Sequence, residues 1–530
     1  MTDLTTSLQL IDLYPTRGMY APDEMVHVIL ECDVQHICTI TFNLAIYHGP
    51  RIVTIHTEVR NLDAGRNLMD FSWLPPAEAP AGYGLVLTCE DGKSSPARLA
   101  TAFDVLPDWT VFPRYGYLTD FSHSRPDENS TMQNLARFHV NGLQFYDWQF
   151  RHDQLLAPTD SYLDPLGRPL SLSAIKKLIS AAHAHGMAAM PYLAVYAASA
   201  EFWKGHPGWM LYDSDHKPIP FGEDFLGIMN PVAGGPWQKH LLDQCSRVLD
   251  ALPFDGLHID QYGDPKSGFD VKQQPVDIAL SFGDFIRAAA ERNPDRPILF
   301  NAVGNWPIDT LAAAPVSFNY IEIWPPDIHY VDLARIVRNA RILSHEKPVV
   351  IALYMPAVRE VNHLLVDAII LSAGGNRIEI GEDARLLTDP YFPKHEAISG
   401  SLMTSLRAGA DFAVRYEEWI GPLLSESKAP ELKLPAGVEV FYRKVKGGAS
   451  LSFVNLTSTE PLCWNEEHKK PNNIASFALE IPLDFIPQKA WLLEPYSSEE
   501  PVPLELDLRG EKVSLVIPNL ALWTVLLFER

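Results

Sequence analysis

This chain has few cysteines, no excess of basic residues and no long hydrophobic run. Each of these features argues against a class of protein. The 5 cysteines are scattered and form no C-x-x-C pair, which argues against a disulfide scaffold or a structural zinc site. No apolar run reaches the ~18 residues of a membrane-spanning helix, so no membrane partner is expected. The formal net charge of −23 repels nucleic acid. The expected partner is a neutral or cationic small molecule, unless the charge serves solubility alone.

Several motifs are also missing. The chain has no G-x-G-x-x-G or Walker motif for phosphate, no H-E-x-x-H for zinc and no G-x-S-x-G elbow for a serine hydrolase. We therefore expect no cofactor and no metal ion. Residues 1–5 lack a basic region followed by an apolar run, so no secretory signal is visible and a cytoplasmic protein is expected. Nothing in the composition indicates an oligomeric state.

Three stretches of different texture predict three domains. Residues 1–107 hold short β-like runs such as Met25–Leu30 between turn-forming residues, which is typical of a β-sandwich. Residues 108–425 alternate strand-like and helical patterns, as in a parallel α/β fold. Residues 426–530 return to β-like runs such as Trp523–Phe528, which predicts a second all-β domain.

The central stretch contains enough βα repeats for a barrel. In Ser173–His185 apolar residues recur at helical spacing, and Gly186 follows as a stop signal, so a helix is predicted. Eight strand-like runs in about 300 residues predict a (β/α)8 barrel with enlarged loops. The doubly wound alternative would usually carry a glycine-rich phosphate turn. The predicted strands are Tyr115–Phe121, Gly142–Trp148, Ala188–Tyr196, Gly256–Tyr262, Ile298–Val303, Tyr320–Trp324, Val349–Tyr354 and Asn376–Ile380.

Polar and aromatic side chains gather at the carboxyl ends of these predicted strands. In a parallel barrel those ends face one pocket. Sugars need this mixture, because acids and amides bind hydroxyls and flat rings cover the C–H face. The loop at about 197–235, with Trp203 and Trp209, is expected to shape the pocket. The strand-end residues are Asp120, Tyr146, Asp147, Trp148, Tyr196, Asp260, Gln261, Asn301, Asn305, Glu322, Trp324, Tyr354 and those from Glu379 to Asp383.

Asp260 and Glu322 are the carboxylates most suited to catalysis. They follow the fourth and sixth predicted strands, so they can face one another across the barrel mouth. Glycoside hydrolysis needs such a pair: one acid protonates the leaving oxygen, and one carboxylate attacks or activates water. Each also has a structural alternative, since Asp260 could cap a helix and Glu322 could pair with Arg377 or Arg114. His258 could bind sugar or pack inside the barrel.

Five motifs follow one another through the predicted barrel. They are Trp109–Tyr117 with Asp120–Phe121, Asn141–Trp148 with Arg151–His152, Asp255–Gln261, Tyr320–Trp324, and Gly375–Glu382 followed by Pro390–Pro393. Together they resemble glycoside hydrolase family 66, the dextranase and cycloisomaltooligosaccharide glucanotransferase family. Their order along the whole barrel makes a chance match improbable.

The resemblance implies both a fold and a mechanism. It implies an immunoglobulin-like domain before the barrel and a β-sandwich after it. By position, Asp260 would be the nucleophile, Glu322 the acid/base, and Asp120 a sugar ligand at the cleavage subsite. The resemblance further implies a retaining enzyme that acts on α-1,6-linked glucans, namely dextran or isomaltooligosaccharides. The other strand-end residues would bind substrate: Tyr146, Asp147, Trp148, Tyr196, His258, Gln261, Asn301, Trp324, Tyr354 and Glu379.

Two departures from the family refine this expectation. Most members are secreted, whereas no signal is visible here, which favours isomaltooligosaccharides over polymeric dextran. The glucanotransferases carry a large insertion within the barrel, and no β-rich segment of that size is present, which argues against cyclisation. Hydrolysis is therefore the leading hypothesis. Glycosyl transfer on the same substrates and non-catalytic sugar binding are the alternatives.

Overall fold

The computed structural model of the chain describes residues 8–90, 97–457, 462–497, 500–509 and 512–530. At its centre eight parallel strands form a nearly closed barrel, in which each strand is hydrogen-bonded to the next one along the chain. This confirms the predicted barrel. The strands, numbered β1 to β8 in chain order, are Tyr115–Leu118, Gly142–Phe145, Ala188–Ala194, Leu257–Asp260, Ile298–Val303, Asn319–Glu322, Val349–Ala352 and Asn376–Arg377.

The barrel closes between β1 and the segment that follows β8. The Tyr117 N–H donates to the Ile380 carbonyl at 3.3 Å. Most of the strands end a few residues earlier than predicted. After β1, for example, the N–H groups of Thr119 and Asp120 donate to the Glu382 carboxylate at 2.7 to 3.0 Å.

Eight helices, numbered α1 to α8, follow the eight strands. The predicted helix at Ser173–His185 is confirmed as α2. It begins after Ser171, whose Oγ accepts from the Ala174 N–H at 3.2 Å, and it is followed by Gly186 at a φ of +68°. The helices are Glu128–Ala136, Leu172–Ala184, Pro236–Ala251, Ile278–Arg292, Ile308–Ala312, Tyr330–Leu343, Glu360–Ser372 and Gly400–Arg415.

Smaller elements decorate the barrel. The loop after β3 forms a three-stranded sheet with a short helix beside it. No helix in the described ranges is long and apolar enough to cross a membrane. These elements are the helices Ala200–Gly205 and Glu417–Ile420, the 3-10 helices Trp109–Val111, Pro207–Trp209, Glu382–Ala384 and Phe392–Lys394, and the strands Ser161–Leu163, Pro169–Ser171, Ala197–Ser199, Pro220–Phe221, Leu226–Ile228, Gly268–Phe269 and Pro275–Val276.

The side chains inside the barrel recur at every second residue of a strand, as the pleat requires. Tyr115, Met190, Leu299 and Tyr320 meet in one apolar layer. His258 lies in the same layer, stacked on Tyr115 at 5.7 Å. Two residues further along β4, β5 and β6, the inward positions carry the polar residues Asp260, Asn301 and Glu322. We therefore expect a functional site directly above this apolar layer.

Antiparallel β-sheets precede and follow the barrel in the sequence. Before it, a three-stranded and a four-stranded sheet share one apolar core. After it, a six-stranded and a three-stranded sheet share another. The immunoglobulin-like and sandwich assignments, and the boundaries 107/108 and 425/426, remain predictions. The strands are Leu8–Pro15, Val26–Val34, Cys38–His48, Arg51–Leu62, Gly65–Trp73, Ala81–Glu90 and Ala97–Val105, then Glu426–Ser427, Val438–Val445, Gly448–Asn455, Ile474–Pro482, Lys489–Leu493, Val502–Leu504, Asp507–Arg509, Lys512–Leu520 and Trp523–Glu529.

A buried carboxyl pair lies where the first sheets meet the barrel. Asp104 is fully buried and forms an ion pair with Arg114 (Oδ2–Nη1 2.7 Å). Glu417, which is 5% exposed, lies beside Asp104. Burial, and then the charge of Asp104, raises the pKa of Glu417 well above its ordinary value of 4.5.

We expect Glu417→Gln to raise the melting temperature by about 2 °C at neutral to alkaline pH. Because its folded-state pKa is raised, Glu417 releases its proton first in the unfolded state, and the wild type loses stability as the pH rises above the ordinary glutamate pKa. Glutamine does not titrate, so the gain should vanish towards about pH 4. Thermal unfolding across that range, with the exposed Glu431→Gln as control, measures it. A gain that is independent of pH would contradict the assignment.

Candidate active site

A cavity of about 440 Å³ opens at the carboxyl ends of the barrel strands. Asp260 ends β4, Asn301 lies near the end of β5, and Glu322 ends β6. All three occupy inward positions and line the cavity. Of the other predicted residues, Tyr146, Asp147, Gln261, Trp324 and Tyr354 also line it.

One amide joins the two carboxylates. The Asn301 Nδ2 donates to Asp260 Oδ1 at 2.8 Å and to Glu322 Oε2 at 2.7 Å. Since both oxygens bind the same nitrogen, they lie at most about 5.5 Å apart. Neither predicted alternative for Glu322 holds, because Arg114 pairs with Asp104 and Arg377 pairs with Asp367 and Glu379.

Further donors orient each carboxylate. The Trp324 Nε1–H donates to Glu322 Oε1 at 2.8 Å. The Tyr354 hydroxyl also hydrogen-bonds to Glu322, and the Tyr192 hydroxyl to Asp260. These bonds stabilise the ionised forms and fix the side-chain orientations.

Burial dominates the electrostatics of the pair. Burial, and then the charge of Glu322, raises the pKa of Asp260 to about 7. Burial also raises the pKa of Glu322 above its ordinary value, against the hydrogen bonds from Asn301, Trp324 and Tyr354. Burial and mutual repulsion therefore favour a pair that shares one proton over a doubly ionised pair. One acid and one carboxylate side by side suit proton transfer coupled to nucleophilic attack.

Aromatic rings cover the walls of the cavity. Tyr146 stacks on Phe392 with centroids 4.3 Å apart, and Phe221 stacks on Tyr262 at 4.2 Å. Trp324 is 39% exposed at the rim. The loop predicted to shape the pocket does so through Phe221, Phe225 and Leu226. Its tryptophans do not line the cavity; Trp203, for example, packs against Gly227.

Asp147 lies on the wall that follows β2. Its φ of +52° turns the chain immediately after the strand. Burial raises the pKa of Asp147 to about 6, although Arg168 lies 3.7 Å away and favours the ionised form. A buried carboxylate beside a guanidinium can accept hydrogen bonds from sugar hydroxyls.

Three predicted substrate residues lie outside the cavity. Trp148 is fully buried in the core, and its Nε1–H donates to the Tyr192 carbonyl at 3.1 Å. The positive φ of Asp147 breaks the strand alternation, which turns Trp148 away. Tyr196 lies beyond the end of β3 and stacks on Phe282 of α4. His258 points inward one layer too low, and Tyr115 binds its Nδ1 at 3.1 Å. None of these three side chains lines the cavity, and a sugar-binding role for them stays a prediction.

The remaining predicted positions also lie outside the cavity lining. The Asp120 carboxylate accepts from the Ser122 N–H at 2.9 Å, and Asp120 does not line the cavity. Glu379 pairs with Arg377 and is absent from the cavity lining, so its sugar contact stays a prediction. Asn305 is in the left-handed region, at a φ of +58°, and is also outside the cavity lining. Glu382 instead joins the end of β8 to β1 through Thr119 and Asp120.

Several lining residues were not predicted. Four of them lie on strands in the same alternation as Asp260, Asn301 and Glu322, so extending that alternation in both directions would have found them: Gln144, Tyr192, Val303 and Tyr320. Tyr262 follows Asp260 directly. The others come from loops whose approach no local pattern reveals: His152, Pro165, Leu166, Phe221, Phe225, Leu226, Asp389, Pro390, Tyr391 and Phe392. Among the described residues, no group of three His, Cys, Asp or Glu side chains is arranged to bind a metal ion.

Comparison with known proteins identifies the family and the fold of this chain. The model of glycosyl hydrolase family 66 matches residues 16–527. A cycloisomaltooligosaccharide glucanotransferase of Niallia circulans is 28% identical over 372 residues, which are 65% of this chain and 38% of that relative. A Streptococcus salivarius dextranase is 23% identical over 605 residues, covering 92% of this chain and 73% of the dextranase.

A solved structure agrees with the architecture. The crystal structure of a Paenibacillus cycloisomaltooligosaccharide glucanotransferase, complexed with cycloisomaltoheptaose, superposes with a TM-score of 0.89 at 19% identity, over 99% of this chain and 100% of that one. At this identity the likeness concerns the fold alone. The family assignment depends on the sequence model, which spans nearly the whole chain. The chain belongs to glycosyl hydrolase family 66.

Proposed function

We propose that the chain is a retaining glycoside hydrolase acting on α-1,6-linked glucans, with Asp260 as nucleophile and Glu322 as acid/base. The Asn301 amide that bonds both carboxylates is the observation that carries this proposal. Retaining pairs lie roughly 5–5.5 Å apart, whereas inverting pairs need about 6.5–9.5 Å for a water between them. The two oxygens that bind the Asn301 nitrogen lie at most about 5.5 Å apart, which supports the shorter spacing.

The first step forms a covalent intermediate. Glu322 donates its proton to the glycosidic oxygen while an Asp260 oxygen attacks the anomeric carbon from the opposite face. The carbon–oxygen bond to the leaving sugar breaks, and a β-glycosyl ester of Asp260 forms. Asn301 and Tyr192 hold the Asp260 carboxylate, and Trp324 and Tyr354 direct Glu322 towards the leaving oxygen.

The second step restores the enzyme. The Glu322 carboxylate removes a proton from water, the hydroxyl attacks the anomeric carbon, and the ester bond to Asp260 breaks. Two inversions leave the product with the α configuration of the substrate. A sugar hydroxyl in place of water would give glycosyl transfer through the same intermediate.

The substrate assignment is supported by the relatives and by the cavity. The relatives are a dextranase and cycloisomaltooligosaccharide glucanotransferases, and the chain spans only 38% of one such glucanotransferase. Aromatic rings such as Tyr146 and Phe221, which line the same cavity as the acid groups, suit a chain of pyranose units. The length of α-glucan preferred is part of the test.

Product analysis tests the proposal. We expect wild-type protein to shorten dextran, isomaltotriose and longer isomaltooligosaccharides, with the α anomer released first, as measured by chromatography and proton NMR. Longer or cyclic products at high substrate concentration would favour transfer. Release of the β anomer would refute retention. Unchanged sugars despite measurable binding would refute the enzyme assignment altogether.

A further inference from the structure

A segment of the C-terminal region reaches the loop that follows the proposed acid/base. Residues 462–468, the strap, lie against residues 323–329, the β6 loop, which connects β6 to α6. The Tyr330 N–H donates to the Leu462 carbonyl at 3.2 Å, and Cys463 pairs with His329 as an antiparallel bridge. The strap therefore extends the β6 loop through backbone contacts.

Trp464 is the centre of this contact. It is 4% exposed. Its backbone N–H donates to the Ile328 carbonyl at 2.9 Å, and its Nε1–H donates to the Asp327 carbonyl at 3.0 Å. One residue thus holds two consecutive carbonyls of the β6 loop.

The barrel holds the strap in return. The Asn362 amide of α7 donates to the Trp464 carbonyl at 2.8 Å and also to the Glu466 carbonyl, and it accepts from the His468 N–H at 3.2 Å. Arg359 donates to the Asn465 carbonyl. The strap is therefore fixed on α7 and can act as a rigid support.

The supported loop carries Trp324, the donor to Glu322. Trp324 is 39% exposed, so packing alone does not fix its ring. Its backbone carbonyl accepts from the Asp327 N–H at 3.1 Å, and Asp327 is the residue whose own carbonyl Trp464 holds. A continuous chain of contacts runs from Trp464 through Asp327 and Trp324 to Glu322.

We propose that Trp464 is a positioning residue for the acid/base, acting through the β6 loop and Trp324. The proposal depends on the proposed function, because it concerns proton donation to a leaving sugar. It gives the C-terminal region a part in catalysis, since the Trp324 donor keeps its place beside Glu322 only while the strap holds the loop.

The variant Trp464→Phe keeps the ring in place and removes the indole N–H. We expect kcat on isomaltooligosaccharides to fall about tenfold, because a misplaced acid donates poorly. A nitrophenyl glycoside, whose leaving group needs little protonation, should lose much less. The basic limb of kcat/KM should move to higher pH, since losing a donor to a carboxylate raises its pKa.

Trp523→Phe is the matched control. Trp523 is 2% exposed, lies in the same C-terminal region, and packs on Phe412 of α8, and its Nε1–H has no hydrogen-bond partner. Its variant should keep wild-type kinetics. Combining Trp464→Phe with Trp324→Phe should cost no more than Trp324→Phe alone, because both act on one donor.

Hydrogen exchange separates this proposal from the proposed function. Amides of residues 323–329 should exchange faster in Trp464→Phe than in wild type or Trp523→Phe, whatever the activity. If wild type cleaves neither substrate but the loop loosens, the proposed function fails and the contact role stands. Equal losses on both substrates, an unmoved basic limb, or additive effects in the double variant would overturn the positioning role.

Discussion

Asp260→Ala is expected to lower hydrolysis of isomaltooligosaccharides by more than about 10³-fold, and Glu322→Ala to do the same. Asp260→Ala removes the atom that attacks the anomeric carbon. Glu322→Ala removes the proton that the leaving oxygen needs. Glu379→Gln, a half-buried carboxyl outside the cavity, is the control and should keep its activity.

Azide distinguishes the roles of the two carboxylates. In Asp260→Ala, azide can attack from the face that Asp260 occupied, so a β-glycosyl azide is expected. In Glu322→Ala with a nitrophenyl glycoside, the Asp260 ester still forms, but water lacks its base. Azide needs no base and attacks that ester from the opposite face, which gives an α-glycosyl azide. NMR of the products identifies the anomer. An α-azide from Asp260→Ala and a β-azide from Glu322→Ala would mean that Glu322 is the nucleophile and Asp260 the acid/base.

Asn301→Ala is expected to lower kcat/KM by about 10²-fold, comparable to the loss of one donor from an oxyanion site. The Asn301 amide lowers the pKa of both carboxyl groups, so its removal raises both. Asp260 must be ionised and Glu322 protonated, so both limbs of the pH profile should move to higher pH together. This differs from Trp464→Phe, which should move only the basic limb.

The control for Asn301→Ala is Asn305→Gly, a neighbouring asparagine outside the cavity. Glycine tolerates the φ of +58° found there, so the backbone should be kept. Kinetics at several pH values, together with unfolding curves, separate a chemical effect from a loss of stability. An unchanged pH profile in Asn301→Ala would mean that the amide does not govern the titration of the pair.

The sequence predicted the barrel, and the place of Asp260 and Glu322 at its strand ends, because both depend on local, repeated patterns. The alternation within strands places Asp260, Asn301 and Glu322 on inward positions, and the order of strands places them side by side. The helix at Leu172–Ala184 followed from its spacing and the glycine after it. These features follow from contacts close in sequence, where the pattern is read directly.

The structure departs from the predicted pattern where the chain leaves its strands. Alternation predicts inward side chains at Trp148 and Tyr196, but the turn at Asp147 and the end of β3 direct them away from the cavity. The stacking of Phe221 on Tyr262 joins residues from different loops, and no periodic pattern records such an approach. The two hydrogen bonds of the Asn301 amide likewise depend on interatomic distances, which the sequence alone does not give.

The cavity is built partly from barrel strands and partly from loops. The proposed reacting groups Asp260 and Glu322, and Asn301 between them, lie on β4 to β6 above a packed aromatic layer. Much of the cavity wall instead comes from the loops with Leu166, Phe225 and Tyr391. Strand positions are constrained by their neighbours on every side, but loops accept insertion and substitution. Evolution can therefore remodel the walls while the reaction stays the same. A lineage with this architecture can acquire new products, linear or cyclic, without a new mechanism.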